Sequence, residues 1–89
     1  MMVKMIKYTG TKELLKEKGF KRNSDGHYDY YFDNGLGGSI IMYIFDKDGE
    51  IMMKNTGVWT DLVWRLDRVL RFAQELGIED FIVEVEKNE

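Results

Sequence analysis

His27 is the one imidazole in this 89-residue chain, and Asp25 and Asp29 lie close to it in sequence. A histidine next to an acid is the base half of a nucleophilic or proton-transfer site, but such a site also needs a nucleophile and a sheltered pocket. The expected strand over 27–33 puts His27 on its polar face, which offers neither, so a solvated histidine is the expectation. The carboxylate pairs Asp29 with Asp33 and Glu84 with Glu86 each share one strand face without an enclosing cleft, which is ordinary surface for general acid–base residues. Asp46, Asp48 and Glu50 alternate like hard-cation ligands, yet a calcium loop needs glycine at its sixth position and glutamate at its twelfth, and Gly49 arrives at the fourth. A tight hairpin is expected there instead. Gly35, Gly37 and Gly38 lack the Lys and Ser or Thr of a phosphate loop and lead into a strand. No catalytic residue, metal site or cofactor is therefore expected, and the chain does not read as an enzyme.

The remaining constellation is a surface on the longest expected helix. From Trp59 to Leu76 the residues Trp59, Leu62, Leu66, Val69, Leu70, Ala73 and Leu76 recur at about 100° per residue, the pattern of an amphipathic helix. Trp64 falls on the opposite face with Asp61, Arg68, Arg71 and Glu75, and Phe72 lies at one flank. Tryptophan and arginine are enriched at interface hot spots, and an arginine over the indole adds a cation–π attraction. The alternative is that another part of the same chain folds over Trp64. Arg65, Arg68 and Arg71 alternate with Asp67 and Glu75, which neutralise them locally.

The elements that position these residues follow from caps and periodicity. Met2–Tyr8 reads as a strand, or as the beginning of the helix that follows it. Thr11 caps a short helix over Lys12–Lys18, and Gly19 stops it with Phe20 folding back toward Leu15. Asn23-Ser24-Asp25-Gly26 is a turn. Tyr28, Tyr30 and Phe32 alternate with polar neighbours in a half-buried strand. Ser39–Phe45 is apolar on both faces, so it belongs in the centre of a sheet with a layer or partner over each side. Asp46–Gly49 turns it into Glu50–Asn55. Thr60 and Asp61 open the long helix, Gly77 closes it, and Phe81–Glu86 is a strand whose acidic face suits an edge. The order (β)αβββαβ predicts a single α+β domain over 1–89. It is a two-layer sandwich, a mainly antiparallel sheet of three to five strands with two helices on one face.

Composition agrees with a folded domain: 44% of residues are apolar and 13% aromatic, enough to offset folding entropy without staples. Cysteine is absent, which excludes disulfides and thiolate metal sites and suits a reducing compartment. The opening MMVKMIKYTG has no signal-peptide pattern and no run approaches a membrane span, so a cytoplasmic protein is expected. The net charge of −3 divides into +5 over residues 1–22 and −8 over residues 23–89. Such polarity steers an anionic partner, docks a second copy head to tail, or serves only solubility.

The helix–strand order resembles that of double-stranded RNA-binding domains, but those begin their second helix with lysines, and this one begins Thr60, Asp61, Leu62, Val63; nucleic acid is thus not the expected partner. Leu14-Leu15 before Gly19-Phe20, the tyrosine-rich strands, and Leu76-Gly77-Ile78 before an acidic tail resemble small uncharacterised proteins of low-GC Gram-positive bacteria and their phages. That resemblance implies a mobile-element origin and assigns no residue a role. The reading is a non-enzymatic protein-binding module, an inhibitor or regulator of a host protein acting through Trp64, Arg68 and Arg71. The alternative is a self-associating homodimeric structural domain.

Overall fold

The first strand, β1 (Val3–Tyr8), buries Ile6 and Tyr8 on one face, as a period of two requires, while Lys4, at an irregularity in the pairing register between Val3 and Met5, is exposed. The computed structural model describes residues 3–33, 38–56, 62–63 and 65–85. After β1 the order is α1 (Lys12–Glu17), β2 (Lys21–Arg22), β3 (His27–Asp33), β4 (Ser39–Phe45), β5 (Ile51–Thr56), β6 (Leu62–Val63), α2 (Leu66–Glu75) and β7 (Phe81–Val85). The chain is α+β with antiparallel pairing throughout. The strands form two sheets rather than one: β1 pairs with β7, and the other five run in the order β2-β3-β4-β5-β6. As its two apolar faces require, β4 is the central strand of the larger sheet.

Both helices end as their sequences dictate. Thr11 Oγ1 accepts the Leu14 N–H at 3.2 Å, which caps α1. At the other end Phe20 N–H donates to Leu15 O and Gly19 N–H to Lys16 O. Gly77 and Ile78 repeat that paired ending on α2, with Ile78 N–H donating to Ala73 O at 3.0 Å. Phe20 and Ile78 are thereby carried into the core. The Lys18 ammonium lies 2.8 Å from where a Cβ on Gly77 would sit, so a positive charge faces the negative end of α2.

The long helix is shorter than its periodicity suggests. Leu62 and Val63 pair with Asn55 and Lys54 as β6, and α2 starts at Leu66 with Arg65 as its cap, without a side-chain capping bond. The expected helix over 59–76 and its Thr60 cap are corrected accordingly. A short apolar run fits a strand as well as a helix, and pairing with β5 decides between them. Thr60, Trp59 and the turn residues Asn34, Gly35 and Gly37 lie outside the described residues.

One apolar cluster joins the elements. Tyr28, Met42, Met53, Ile44 and Ile51 from β3–β5 meet Ile6 and Tyr8 of β1, Leu15 of α1, Phe20, Val69 and Ala73 of α2, and Ile78. Full burial of a side chain such as Met42 or Ile51 contributes about 1.5–3 kcal/mol. The two sheets meet at the β4–β5 hairpin. Tyr8 N–H donates to Gly49 O at 2.7 Å, which closes an isolated antiparallel backbone bridge between Lys7 and Glu50. The hairpin itself closes with Gly49 N–H on Phe45 O and Glu50 N–H on Asp48 Oδ1, so Asp48 serves the turn. Gly49 is needed twice over: its φ is +77°, and a Cβ there would collide with the Tyr8 carbonyl oxygen. Tyr8 also donates its hydroxyl to Thr11 O at 2.5 Å. Burial first, then the carboxylates of Asp80 and Glu13, push its ionisation above the ordinary tyrosine value.

Gly26, with φ +94° and open space around it, isolates the cost of positive φ alone. Gly26→Ala should lose about 1–2 kcal/mol in urea denaturation, and Gly49→Ala should lose more because it also displaces β1. Equal losses would mean that the approach of β1 to the hairpin contributes nothing.

Candidate functional site

The face of the larger sheet away from the cluster is built in rungs. Lys21, Asp29, Tyr43 and Met52 stand side by side across β2–β5; Tyr31, Ile41 and Lys54 form a second rung, and His27 and Phe45 a third. The buried residues of α1 and α2, Leu15, Val69 and Ala73, all belong to the opposite, inner cluster. Ile41 is buried yet stands outside that cluster, sheltered on the outer face.

His27 organises this face, and its position corrects the expectation of a solvated side chain. Its Nδ1 lies 2.5 Å from Asp29 Oδ1, and the two side chains are only 13% and 6% exposed. Asn23 Nδ2 donates to the other carboxylate oxygen, Oδ2, at 3.1 Å. Asn23 Oδ1 meanwhile accepts Asp25 N–H at 2.8 Å, and Asn23 N–H donates to His27 O. The turn Asn23–Gly26 and the carboxylate thus hold each other. Asp29 is the buried acid of this network, not the surface carboxylate its alternation suggests. The information was available: residues two apart on a strand share a face, which makes His27 and Asp29 neighbours.

Aromatic rings enclose the imidazole. Tyr43 meets it edge-on at 5.0 Å and Phe45 at 5.7 Å, while Tyr43 and Phe45 lie nearly parallel at 6.4 Å. Tyr31 stands clear at 59% exposure. Next to it, an open cleft of about 500 Å³ is lined by Lys18, Lys21, Asp29 and Tyr31, among others. The result is an aromatic face with Lys21 at its β2 end and Lys54 at its β5 end. A carboxylate-oriented imidazole is the base of a catalytic triad, but here the network runs inward to a turn and the ring packs on aromatic neighbours. Among the described residues, no group of three or more His, Cys, Asp or Glu is placed to hold a metal ion.

The helix surface expected around Trp64 is described only in part. Arg68, Arg71 and Glu75 are exposed on α2, whereas Phe72 is half-buried, its ring edge-on to Phe32 of β3 at 5.2 Å. Arg65 forms an exposed ion pair with Asp67 at 3.2 Å, one local neutralisation of the kind expected. Trp64 and Asp61 lie outside the described residues. Among the described residues, no helix is long and apolar enough to cross a membrane. No family model, curated protein or solved structure matches the chain.

Asp29→Ala removes the acceptor of two side chains, His27 and Asn23, and should destabilise the fold by about 1–3 kcal/mol. Asp25→Ala, at an exposed turn position, should stay within about 0.5 kcal/mol. Urea midpoints that are alike for the two variants would show that the network is not formed in solution.

Proposed function

We propose that this chain is a non-enzymatic protein-binding module that docks its partner on the outer face of the five-stranded sheet. The observation that carries the reading is the pair of rings Tyr43 and Phe45 packed on His27, which the Asp29–Asn23 network holds, with the exposed Tyr31 on the same sheet face. Tyr43 and Phe45 are half-buried and Tyr31 is exposed, and aromatic side chains left open on a sheet face among polar groups are enriched at interaction sites. The fold behind it is a two-layer sandwich, with the helices over the inner face and the outer face left for the partner. Lys21 and Lys54 on the platform, with Lys18 beside it, suit a partner surface that is apolar at its centre and acidic at its rim. The resemblance to small phage proteins makes a host protein, inhibited or regulated by this contact, the class of partner expected. The exposed α2 residues Arg68, Arg71 and Glu75 then belong to the helix layer on the other side of the sheet and serve solubility.

Tyr31→Asp should leave stability within about 0.5 kcal/mol, because the ring is mostly solvent-exposed. It should nonetheless abolish capture of a specific protein by the immobilised chain from a Gram-positive lysate, while Arg71→Glu retains the same protein. Capture insensitive to Tyr31, capture lost only with Arg71, or no capture at all would contradict the reading. An aromatic and lysine-bearing face is also able to stack unpaired bases. Titration with a single-stranded oligonucleotide should show no binding; binding lost in Tyr31→Asp would replace the protein partner with nucleic acid.

A further inference from the structure

Three large hydrophobic side chains stay exposed among the described residues, and two of them, Ile82 at 55% and Val85 at 40%, belong to β7. This strand pairs on one side with β1, and among the described residues no strand occupies its other edge. An apolar edge is a template for another strand, and proteins normally protect it with charge. Here the single charged side chain of Phe81–Val85 is Glu84, which is already ion-paired with Lys7 of β1 at 3.5 Å.

We propose that β7 pairs antiparallel with β7 of a second copy about a two-fold axis through Val83. A two-fold axis perpendicular to the sheet keeps the inner side chains of both copies on one face, so the axis must pass through a residue. Overlap and charge within the strand choose which one. An axis through Val83 pairs all five residues Phe81–Val85 with the same segment of the second copy, whereas an axis through Ile82 leaves Glu84 and Val85 outside the paired segment, and an axis through Glu84 sets the two Glu84 carboxylates against each other. Val85 then faces Phe81 of the second copy on the inner side, and Ile82 faces Glu84 on the outer side. Each exposed apolar residue of β7 gains a neighbour, and the two-stranded ribbon becomes a four-stranded sheet. This contact is separate from the outer face proposed for the partner.

Light scattering on a size-exclusion column tests it with three substitutions. The wild-type chain should show a mass near 21 kDa, twice its 10.5 kDa. Ile82→Glu places a carboxylate opposite Glu84 and should return the mass to 10.5 kDa. Ile82→Lys places a cation there and should keep the dimer. Circular dichroism should be unchanged in both, since Ile82 is exposed in the single chain. Tyr31→Asp should also keep the dimer, which separates this contact from the outer face. A monomeric wild type, a dimeric Ile82→Glu, a monomeric Ile82→Lys or a dimer broken by Tyr31→Asp would each overturn the proposal.

Discussion

The close approach of Tyr8 to Gly49 is the constraint on which the rest of the molecule depends. A single antiparallel β-bridge, Lys7 opposite Glu50, with its hydrogen bond from Tyr8 N–H to Gly49 O at 2.7 Å, fastens the β1–β7 ribbon to the hairpin of the larger sheet. The approach is close enough that only a residue without Cβ fits, and the hairpin needs a positive φ at the same position. A single glycine therefore serves both the turn and the joint. Because β1 is held there, Ile6 and Tyr8 reach the core beside Val69 and Ala73, and β7 is an edge among the described residues.

The larger sheet divides its labour by parity. Even-numbered positions of β3 and β4 supply the core through Tyr28, Met42 and Ile44, joined by Ile51 and Met53 of β5. Odd-numbered positions of β3 and β4 build the outer platform. Burying an acid on that platform is costly unless each oxygen is bonded. Asp29 meets the condition with His27 on one oxygen and Asn23 on the other, which ties the rigidity of the aromatic face to a turn five residues upstream of Tyr28. Surfaces held rigid in this way lose little entropy on docking.

Much of this architecture is legible in the sequence where the determinants are local. Thr11, Gly19 and Gly77 mark helix ends because capping is a matter of a few adjacent residues, and all three act as their chemistry implies. β3, β4 and the Asp46–Gly49 turn follow from alternation and turn chemistry. Long-range pairing is what local pattern does not carry. Leu62 fits a helical stripe, but pairing with Asn55 and Lys54 recruits it and Val63 into a strand. Lys21 and Arg22 have no strand signature of their own and become β2 only by lying against Asp29 and Tyr28. The candidate site was the least legible part, because alternation places an acid outside, while the burial of Asp29 depends on partners at two other positions. The surface foreseen around Trp64 rested on a helix extending back to Trp59, and α2 begins at Leu66.

Amide hydrogen exchange followed by NMR tests the joint most directly. The amide of Tyr8, donated to Gly49, should exchange as slowly as the central β4 amides, opening only when the whole molecule unfolds. A Tyr8 amide that exchanges rapidly while β4 stays protected would mean that the ribbon and the sheet are not fastened at Gly49, and that β7 does not hold a fixed edge against the core.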